Sequence, residues 1–492
     1  MLSLQCLQDR AIRVYLWFGL FLIWLAVGLV LNFRSLLPAE VPLFYSQPWG
    51  SSRLVFKNFL FVLPCISAFF IFVNLIIAEL FWRRRDVLLS QSVVGLAFFL
   101  SLFFCVSLLR VIYLTAVSFS ITLLGKIFLA ASLAFLLSWR ISPLVRRINI
   151  WLGVVDDPET HNHPAVLHTK PIPRGGSLAF LLGFLPISFL FLPWTKKLIG
   201  IYIGTILLTL VGLLDDRFDL NPYLRLALQC VAALVVVGAG IGIAFFRIPW
   251  LGFVHLDVVD IPFYLWGEHH ILLLADLFAF LWLIWTMNML SWSNGVDGQF
   301  SGITSITFFV LAALSLRFVS YEPQQVYTAM LAAIAGGASL GLLPLTWHPA
   351  KMFWGFGATV CGLLIAALSI LSGAKVATAA LVLLVPLLDA FVAILRRLLR
   401  GQSPVWGDRG HLHHHLLQKG LGHRGVAVVY WLLTALCGGL ALYTAGKSKA
   451  ITLLSMGLVV GFVLVFLNLR TRLWATLFDL DHENDETSSD KD

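Results

Sequence analysis

Three carboxylates within five residues could hold a cation. Asp215, Asp216 and Asp219 follow directly after a long apolar run. A charged group inside a lipid bilayer, or at its edge, is costly and therefore marks a functional site by default. Carboxylate oxygens at this density suit Mg²⁺ or Ca²⁺. The alternative is a structural role, in which Arg217 and Arg225 neutralise the acids.

A second group of residues could bind phosphate. Lys170 and Arg174 flank the sequence Pro-Ile-Pro. Arginine can contact phosphate oxygens through two parallel hydrogen bonds. Gly175 and Gly176 allow the backbone to approach a ligand closely where a helix begins, and the free N–H groups of a helix start favour anions. The alternative is a basic loop that contacts lipid head groups.

A third segment combines amides, a hydroxyl and a carboxylate. It contains Asn288, Ser291, Asn294 and Asp297, together with two glycines. These side chains could line a site for a polar ligand, because glycine permits the sharp turns that such a lining needs. A glycine-rich turn capped by Asn and Asp is the alternative.

The fourth group is a histidine cluster next to an acid and an arginine. Its members are Asp408, Arg409, His411, His413, His414 and His415. Neutral imidazole is a common metal ligand, which makes a zinc site one interpretation. Tetrahedral zinc needs spaced ligands, however, and a contiguous run cannot all point at one ion. We therefore favour contact with phosphates.

The elements that position these groups are membrane helices. The chain has 492 residues, of which 59% are hydrophobic and 12% charged, and its mean hydropathy is +0.90. A soluble domain is about a quarter charged, so we predict an all-α polytopic membrane protein. Its net charge of +9 comes from Lys and Arg beside apolar segments, which does not indicate a nucleic-acid partner.

A membrane span needs roughly 20 apolar residues, and the sequence predicts about 14 such helices. They lie near residues 12–33, 56–81, 87–109, 117–139, 176–194, 197–214, 223–246, 271–290, 300–318, 325–345, 353–371, 374–396, 426–446 and 449–469. A partly alternating stretch between Arg247 and His270 predicts a small hairpin.

The orientation follows from the loops. With Arg83, Arg84 and Arg85 in the cytoplasm, all four polar groups fall on the cytoplasmic side, where Lys and Arg outnumber those on the other side roughly two to one. A transporter would place polar groups at the midplane of the membrane, on interrupted helices. A cation site beside phosphate-binding groups on one face instead indicates phosphoryl transfer.

Five motifs in a fixed order carry a resemblance to a known family. They are Pro171–Gly176, Asp215–Asp219, Asn288–Gly298, Pro349–Lys351 and Asp408–His415. From about Trp139 onward, the chain resembles the polyprenyl-phosphate N-acetylhexosamine-1-phosphate transferases of glycosyltransferase family 4. The resemblance implies an 11-helix transferase core at 116–470. Three extra N-terminal helices at 1–115 precede this core, and an acidic, disordered cytoplasmic tail at 471–492 follows it.

The resemblance also implies the reaction. With Mg²⁺, or Mn²⁺ as an alternative, the phosphate of undecaprenyl phosphate attacks the β-phosphate of a UDP-N-acetylhexosamine such as UDP-N-acetylglucosamine. The products are a lipid-diphospho-sugar and UMP, and the step begins a cell-envelope glycan of the cell wall or lipopolysaccharide. The enzyme would reside in the inner (cytoplasmic) membrane with its active site facing the cytoplasm, and a homodimer is one assembly it could form.

The resemblance implies roles for individual residues. Asp215, Asp216 and Asp297 would be catalytic, and Asp215, Asp216 and Asp219 would hold the metal. Substrate binding would fall to Lys170, Arg174, Asn288, Asn294, Asp408, Arg409, His411, His413, His414 and His415.

Two motifs depart from the family pattern. Ser291 and Asn294 stand where an Asn and an Asp are usual, and Phe356 stands where a metal-binding Asp is usual. Phenylalanine cannot ligate a cation. We therefore expect a variant active site in which other carboxylates complete the metal shell. The alternatives are a transferase-like protein that binds ligands without catalysis, and a transporter.

Overall fold

The computed structural model describes residues 5–43, 53–117, 122–157, 171–248, 252–264, 268–372, 375–399, 401, 403, 411–445 and 448–466. Most of these residues are helical. The first eight helices are α1 (Arg10–Phe33), α2 (Val62–Arg83), α3 (Val87–Ile112), α4 (Leu123–Trp151), α5 (Gly176–Phe191), α6 (Lys196–Phe218), α7 (Pro222–Gly238) and α8 (Leu273–Trp292). They are followed by α9 (Gln299–Leu316), α10 (Gln325–Thr346), α11 (Thr359–Leu371), α12 (Lys375–Val382), α13 (Leu384–Leu399), α14 (Leu412–Gln418), α15 (His423–Tyr443) and α16 (Ser448–Phe466).

Short polar side chains start several of these helices. The side chains of Asp9, Asp86 and Thr195 accept backbone N–H groups in the first turns of α1, α3 and α6. Asn221 does the same for α7, whose first residue is Pro222. These caps satisfy N–H groups that have no partner inside the helix, and proline is well suited to a first helical position.

The strands form four antiparallel pairs. They are β1 (Glu40–Pro42) with β2 (Leu54–Phe56), β3 (Val155–Asp156) with β4 (Ile172–Pro173), β5 (Phe245–Ile248) with β6 (Gly252–His255), and β7 (Asp260–Tyr264) with β8 (Glu268–Leu272). The region between Arg247 and His270 therefore contributes to two hairpins rather than the one predicted.

Ten of the described helices are long and apolar enough to cross a membrane, and the number rises to 11 if the bent pair α12–α13 counts as one span. Three more apolar helices, α5, α7 and Phe356–Leu371, are shorter. The predicted all-α, multi-pass membrane architecture is confirmed, whereas the predicted number of 14 spans is not.

Three predicted helices differ from the observed ones, and local chemistry explains the first two differences. The predicted span 223–246 ends at Gly238, and Gly240, two residues later, adopts a positive φ of 88°. The predicted span 374–396 is bent by 85° between α12 and α13. Pro386 lacks the N–H that would bond four residues back, which prevents a straight helix there. Helix α4, predicted to end at 139, continues to Trp151.

The described residues form two compact units. The first comprises Met1–Phe128 and Pro186–Leu192, and Val30, Leu60 and Leu108 belong to one of its hydrophobic clusters. The second comprises the described residues within Leu129–Leu185 and Pro193–Asp492, where α9 packs against α10, and α8 against α11. The predicted division at 115 and 470 remains a prediction, and the tail at 471–492 lies outside the described residues.

Candidate active site

The two adjacent aspartates at the end of α6 are buried and have different partners. Asp215 and Asp216 are 4% and 2% exposed. Asp215 accepts hydrogen bonds from Nη1 of Arg225 at 3.2 Å and from the N–H of Leu220 at 3.1 Å. Oδ1 of Asp216 accepts the N–H of Phe356 at 3.0 Å. Its Oδ2 is buried and has no hydrogen-bond partner among the described residues.

Asp219 does not share a helical face with Asp215. Helix α6 ends at Phe218, and Asp219 takes the left-handed conformation with φ 47°. Its N–H still bonds to the carbonyl of Asp215 at 2.8 Å. Aspartate tolerates this conformation better than most residues. The third acid therefore caps the helix instead of lying on the same helical face as Asp215.

Arg174 lies beside this pair, at the end of the β3–β4 hairpin. Its Nη2 contacts Oδ2 of Asp156 at 2.6 Å, and its Nη1 lies 3.9 Å from Oδ1 of Asp216. The side chain of Asn149 donates to the Arg174 carbonyl at 2.7 Å and so fixes the loop. Lys170, predicted to act with Arg174, lies outside the described residues.

The segment from Phe353 to Phe356 packs against Asp216. The N–H of Phe353 bonds to Pro173 of β4, and its carbonyl accepts the N–H of Gly176. Gly355 has φ 66°, and a Cβ atom there would lie 1.8 Å from Oδ2 of Asp216. Only glycine permits this conformation and this approach at once.

Phe356 presents its aromatic face to a cation of the protein. The guanidinium carbon of Arg225 lies 5.2 Å from the centre of the Phe356 ring. The same guanidinium is bound to Asp215. A cation over an aromatic face is attracted by the ring quadrupole. Phe356, which stands where the resemblance predicts a metal-binding acid, therefore helps to orient Arg225, the partner of Asp215.

Asp297 lies in a cluster that the sequence did not predict. Its Oδ2 accepts the N–H of Ala350 at 3.1 Å and lies 2.7 Å from Nδ1 of His348. Nδ1 of His423 lies 4.0 Å from the same oxygen. The two imidazoles stack with their centres 4.6 Å apart. Each histidine is isolated in sequence, and only its position beside a motif (His348) or at a helix start (His423) could have drawn attention to it.

A cavity of about 690 Å³ joins these groups. The predicted site residues that line it are Arg174, Asp215, Asp216, Asp219, Asn294 and Asp297. The lining also includes polar or charged residues that were not predicted as site residues, namely Arg146, Asp156, Arg225, His348, Lys351 and His423. Asn288 is not among the lining residues. Its amide nitrogen donates to the side chain of Gln229 at 2.8 Å and to the carbonyl of Ile284 at 2.9 Å.

The histidine cluster is buried and packs behind the Asn288–Gly298 segment. His411, His413, His414 and His415 are each at most 8% exposed, and none is among the residues lining the cavity. Nδ1 of His411 lies 2.9 Å from Asp389. His413 packs so tightly on Gly295 that a Cβ there would lie 2.2 Å from its Nε2.

Burial, reinforced by the neighbouring histidines, lowers the pKa of His413 well below its ordinary value, which makes this ring neutral at pH 7. Asp408 and Arg409 lie outside the described residues. The contact of this cluster with phosphates remains a prediction.

Comparison with known proteins adds evidence that does not depend on the geometry. Residues 198–373 match the model of glycosyl transferase family 4. The chain is 31% identical over 322 residues to the decaprenyl-phosphate N-acetylglucosaminephosphotransferase of Mycobacterium tuberculosis, covering 58% of this chain and 75% of that protein. The chain belongs to glycosyl transferase family 4.

Other relatives are similar over comparable lengths of the chain. The decaprenyl-phosphate N-acetylglucosaminephosphotransferase of Mycobacterium leprae is 30% identical over 296 residues, which cover 54% of this chain and 71% of that protein. The undecaprenyl-phosphate alpha-N-acetylglucosaminyl 1-phosphate transferase of Haemophilus influenzae is 26% identical over 303 residues, which cover 60% of this chain and 80% of that protein. This family 4 member is therefore a transferase, and its apolar helices make it a multi-pass membrane protein.

The donor set of this family 4 transferase fits a hard divalent cation. Asp216 offers a buried oxygen without a hydrogen-bond partner among the described residues, and Asp215 and Asp219 border the same cavity. Oxygen ligands of this kind suit Mg²⁺. The three acids do not, however, form a group whose ligand atoms all lie within 4.8 Å of one another. Among the described residues, the one such group is Asp297, His348 and His423.

Asp389 fixes the start of the histidine helix α14 and gives a first prediction. It bonds both to His411 and to the N–H of Leu412, the latter at 2.9 Å. In Asp389→Ala both groups lose the carboxylate of Asp389 as a partner, which should lower the free energy of unfolding by roughly 1–3 kcal/mol. Asp389→Asn retains an acceptor for Leu412 and should cost less. Thermal unfolding in detergent measures both, and equal losses would contradict the assignment.

Proposed function

We propose that this enzyme transfers a sugar 1-phosphate, specifically an N-acetylhexosamine 1-phosphate, from a UDP-sugar to undecaprenyl phosphate. An oxygen of the lipid phosphate forms a bond to the β-phosphorus, the bond from that phosphorus to the bridging oxygen breaks, and UMP leaves. The product is a lipid-diphospho-sugar that begins a cell-envelope glycan. Relatives named for decaprenyl-phosphate or undecaprenyl-phosphate substrates support this lipid class.

One observation carries the proposal: buried carboxylates and guanidinium groups line a single cavity. Asp215 and Asp216 are among these acids, and Arg174 and Arg225 are among these cations. The volume of about 690 Å³ lies within the range of ligand sites, roughly 300–1,000 Å³. Phosphoryl transfer depends mainly on positioning and on charge that stabilises phosphate oxygens. This combination supplies both.

In this proposal Asp215 and Asp216 hold Mg²⁺, or Mn²⁺ in its place, and Arg174 contacts phosphate oxygens. When bound, the ion neutralises phosphate charge. Arg225 orients Asp215 through their contact at 3.2 Å. The site faces the cytoplasm from the inner membrane, and the bilayer supplies the lipid substrate. A homodimer is the assembly we propose.

Release of UMP tests the function. The purified protein is incubated with undecaprenyl phosphate, Mg²⁺ and UDP-N-acetylglucosamine, and UMP is measured over time. We expect UMP that depends on both the lipid and the metal ion, with a chelator as control. No UMP from any of several UDP-sugars would contradict the proposal.

Phe356 gives a prediction about the metal. Phe356→Asp should lower the Mg²⁺ concentration for half-maximal UMP release about tenfold, which corresponds to a gain of about 1.4 kcal/mol in binding. The reason is that the new carboxylate borders the cavity beside Asp216, whose Oδ1 accepts the Phe356 N–H. Phe356→Asn is the matched control, since it removes the ring without adding charge. Identical Mg²⁺ curves for the two variants would contradict the prediction.

A further inference from the structure

Three side chains from separate segments converge at one edge of the cavity. Asp297 lies in the turn before α9, His348 follows α10, and His423 is the first residue of α15. All three line the cavity, and one ligand atom from each lies within 4.8 Å of the others. They are distinct from the carboxylates at the end of α6.

The spacing suits ligands of one ion. Two ligand atoms bound at about 2.1 Å in a tetrahedral site lie roughly 3.4 Å apart. The two distances from Oδ2 of Asp297, 2.7 Å to Nδ1 of His348 and 4.0 Å to Nδ1 of His423, fall on either side of that value. To reach it, the first contact would lengthen by about 0.7 Å and the second would shorten by about 0.6 Å.

A hydrogen bond explains only part of the cluster. It pairs His348 with Asp297, but it leaves Nδ1 of His423 buried and without a hydrogen-bond partner in the described part of the chain. A buried polar group without a partner costs roughly 1–3 kcal/mol. An ion shared by the carboxylate and both imidazoles would satisfy all three groups.

We propose that Asp297, His348 and His423 bind a transition-metal ion of the Zn²⁺ or Co²⁺ type. Imidazole ligands suit these ions, whereas Mg²⁺ prefers oxygen ligands. Three protein ligands leave a fourth position for water or for a substrate oxygen.

Two neighbouring interactions hold the ligands in place. The N–H of Ala350 bonds to the carboxylate of Asp297, and Arg424 donates two hydrogen bonds to the carbonyl of His348 at 3.1 and 3.2 Å. Outer contacts of this kind orient metal ligands. The charge of Arg424 opposes a cation nearby, so we expect weaker binding than in a closed structural zinc site.

Binding of Co²⁺ to the full-length protein tests the site, because a tetrahedral Co²⁺ complex absorbs visible light strongly. We expect about one Co²⁺ per chain, displaced by Zn²⁺, and loss of the absorbance in His348→Asn and in His423→Asn. His270→Asn is the matched control, because His270 forms an exposed pair with Asp260 at 2.9 Å. Absence of bound Co²⁺, or an unchanged spectrum in His423→Asn, would overturn the proposal.

Thermal unfolding provides a second measurement in case a variant folds poorly. Zn²⁺ should raise the melting temperature of the native chain and of His270→Asn, but not that of His423→Asn. Equal Zn²⁺ shifts in all three would also refute the site. These results are independent of the proposed function. Co²⁺ binding without UMP release would contradict only the proposed function. UMP release with Mg²⁺ but without Co²⁺ binding would contradict only the proposed metal site.

Discussion

Replacing Asp216 by Asn should reduce the rate of UMP release by roughly 10²–10³-fold, the loss typical when one preorganised electrostatic group is removed from an active site. Asp216 is 2% exposed, and its Oδ2 is a buried acceptor that no described residue satisfies. The substitution removes the negative charge at this position. It keeps the shape of the side chain and an oxygen that can accept the N–H of Phe356.

The melting temperature shows whether Asp216→Asn loses activity because the charge is removed or because the protein unfolds. Because Asn fits the same space, Asp216→Asn should retain the melting temperature of the native chain to within a few degrees, roughly the shift that 1 kcal/mol produces. Asp276→Asn is the matched control. Asp276 accepts the N–H of Leu272 at 3.1 Å and is not among the residues lining the cavity. Native rates in Asp216→Asn would show that this carboxylate has no part in catalysis.

Adding a single methyl group at Gly355 should have the second large effect. The new Cβ would lie 1.8 Å from Oδ2 of Asp216, so the carboxylate or the loop must move. A displacement of 1 Å in an active site can cost about 10²-fold in rate. The backbone at φ 66° and ψ −161° adds strain of the order of 1–3 kcal/mol. Gly355→Ala should therefore lose about 10²-fold in UMP release and also unfold at a lower temperature.

Gly240 provides the control for backbone strain alone. It has φ 88°, and a Cβ atom there would meet nothing within 4 Å. Gly240→Ala should lower the melting temperature in a similar way but leave the rate of UMP release unchanged. An equal loss of activity in both variants would mean that general destabilisation, not displacement of Asp216, accounts for the effect at Gly355.

The carboxylates of α6 could be found from the sequence because a charged group beside an apolar run costs free energy and usually marks a functional site. Their partners could not be found in this way. Arg225 also stands near these acids in the sequence, but its place between Asp215 and the ring of Phe356 depends on a loop more than a hundred residues away. The contact of Asp389 with His411 likewise joins residues that lie 22 positions apart in the sequence.

The sequence by itself determined the membrane class, the family motifs and the approximate position of most helices, since hydrophobic length and local residue order specify these features. Only the tertiary structure decided that Asp219 leaves the helix, that Asn288 bonds to Gln229, and that three distant residues form one cluster. The physical reason is that these outcomes depend on backbone conformation and on contacts between segments. Asp297, His348 and His423 are brought together by the packing of helices, not by their spacing along the chain.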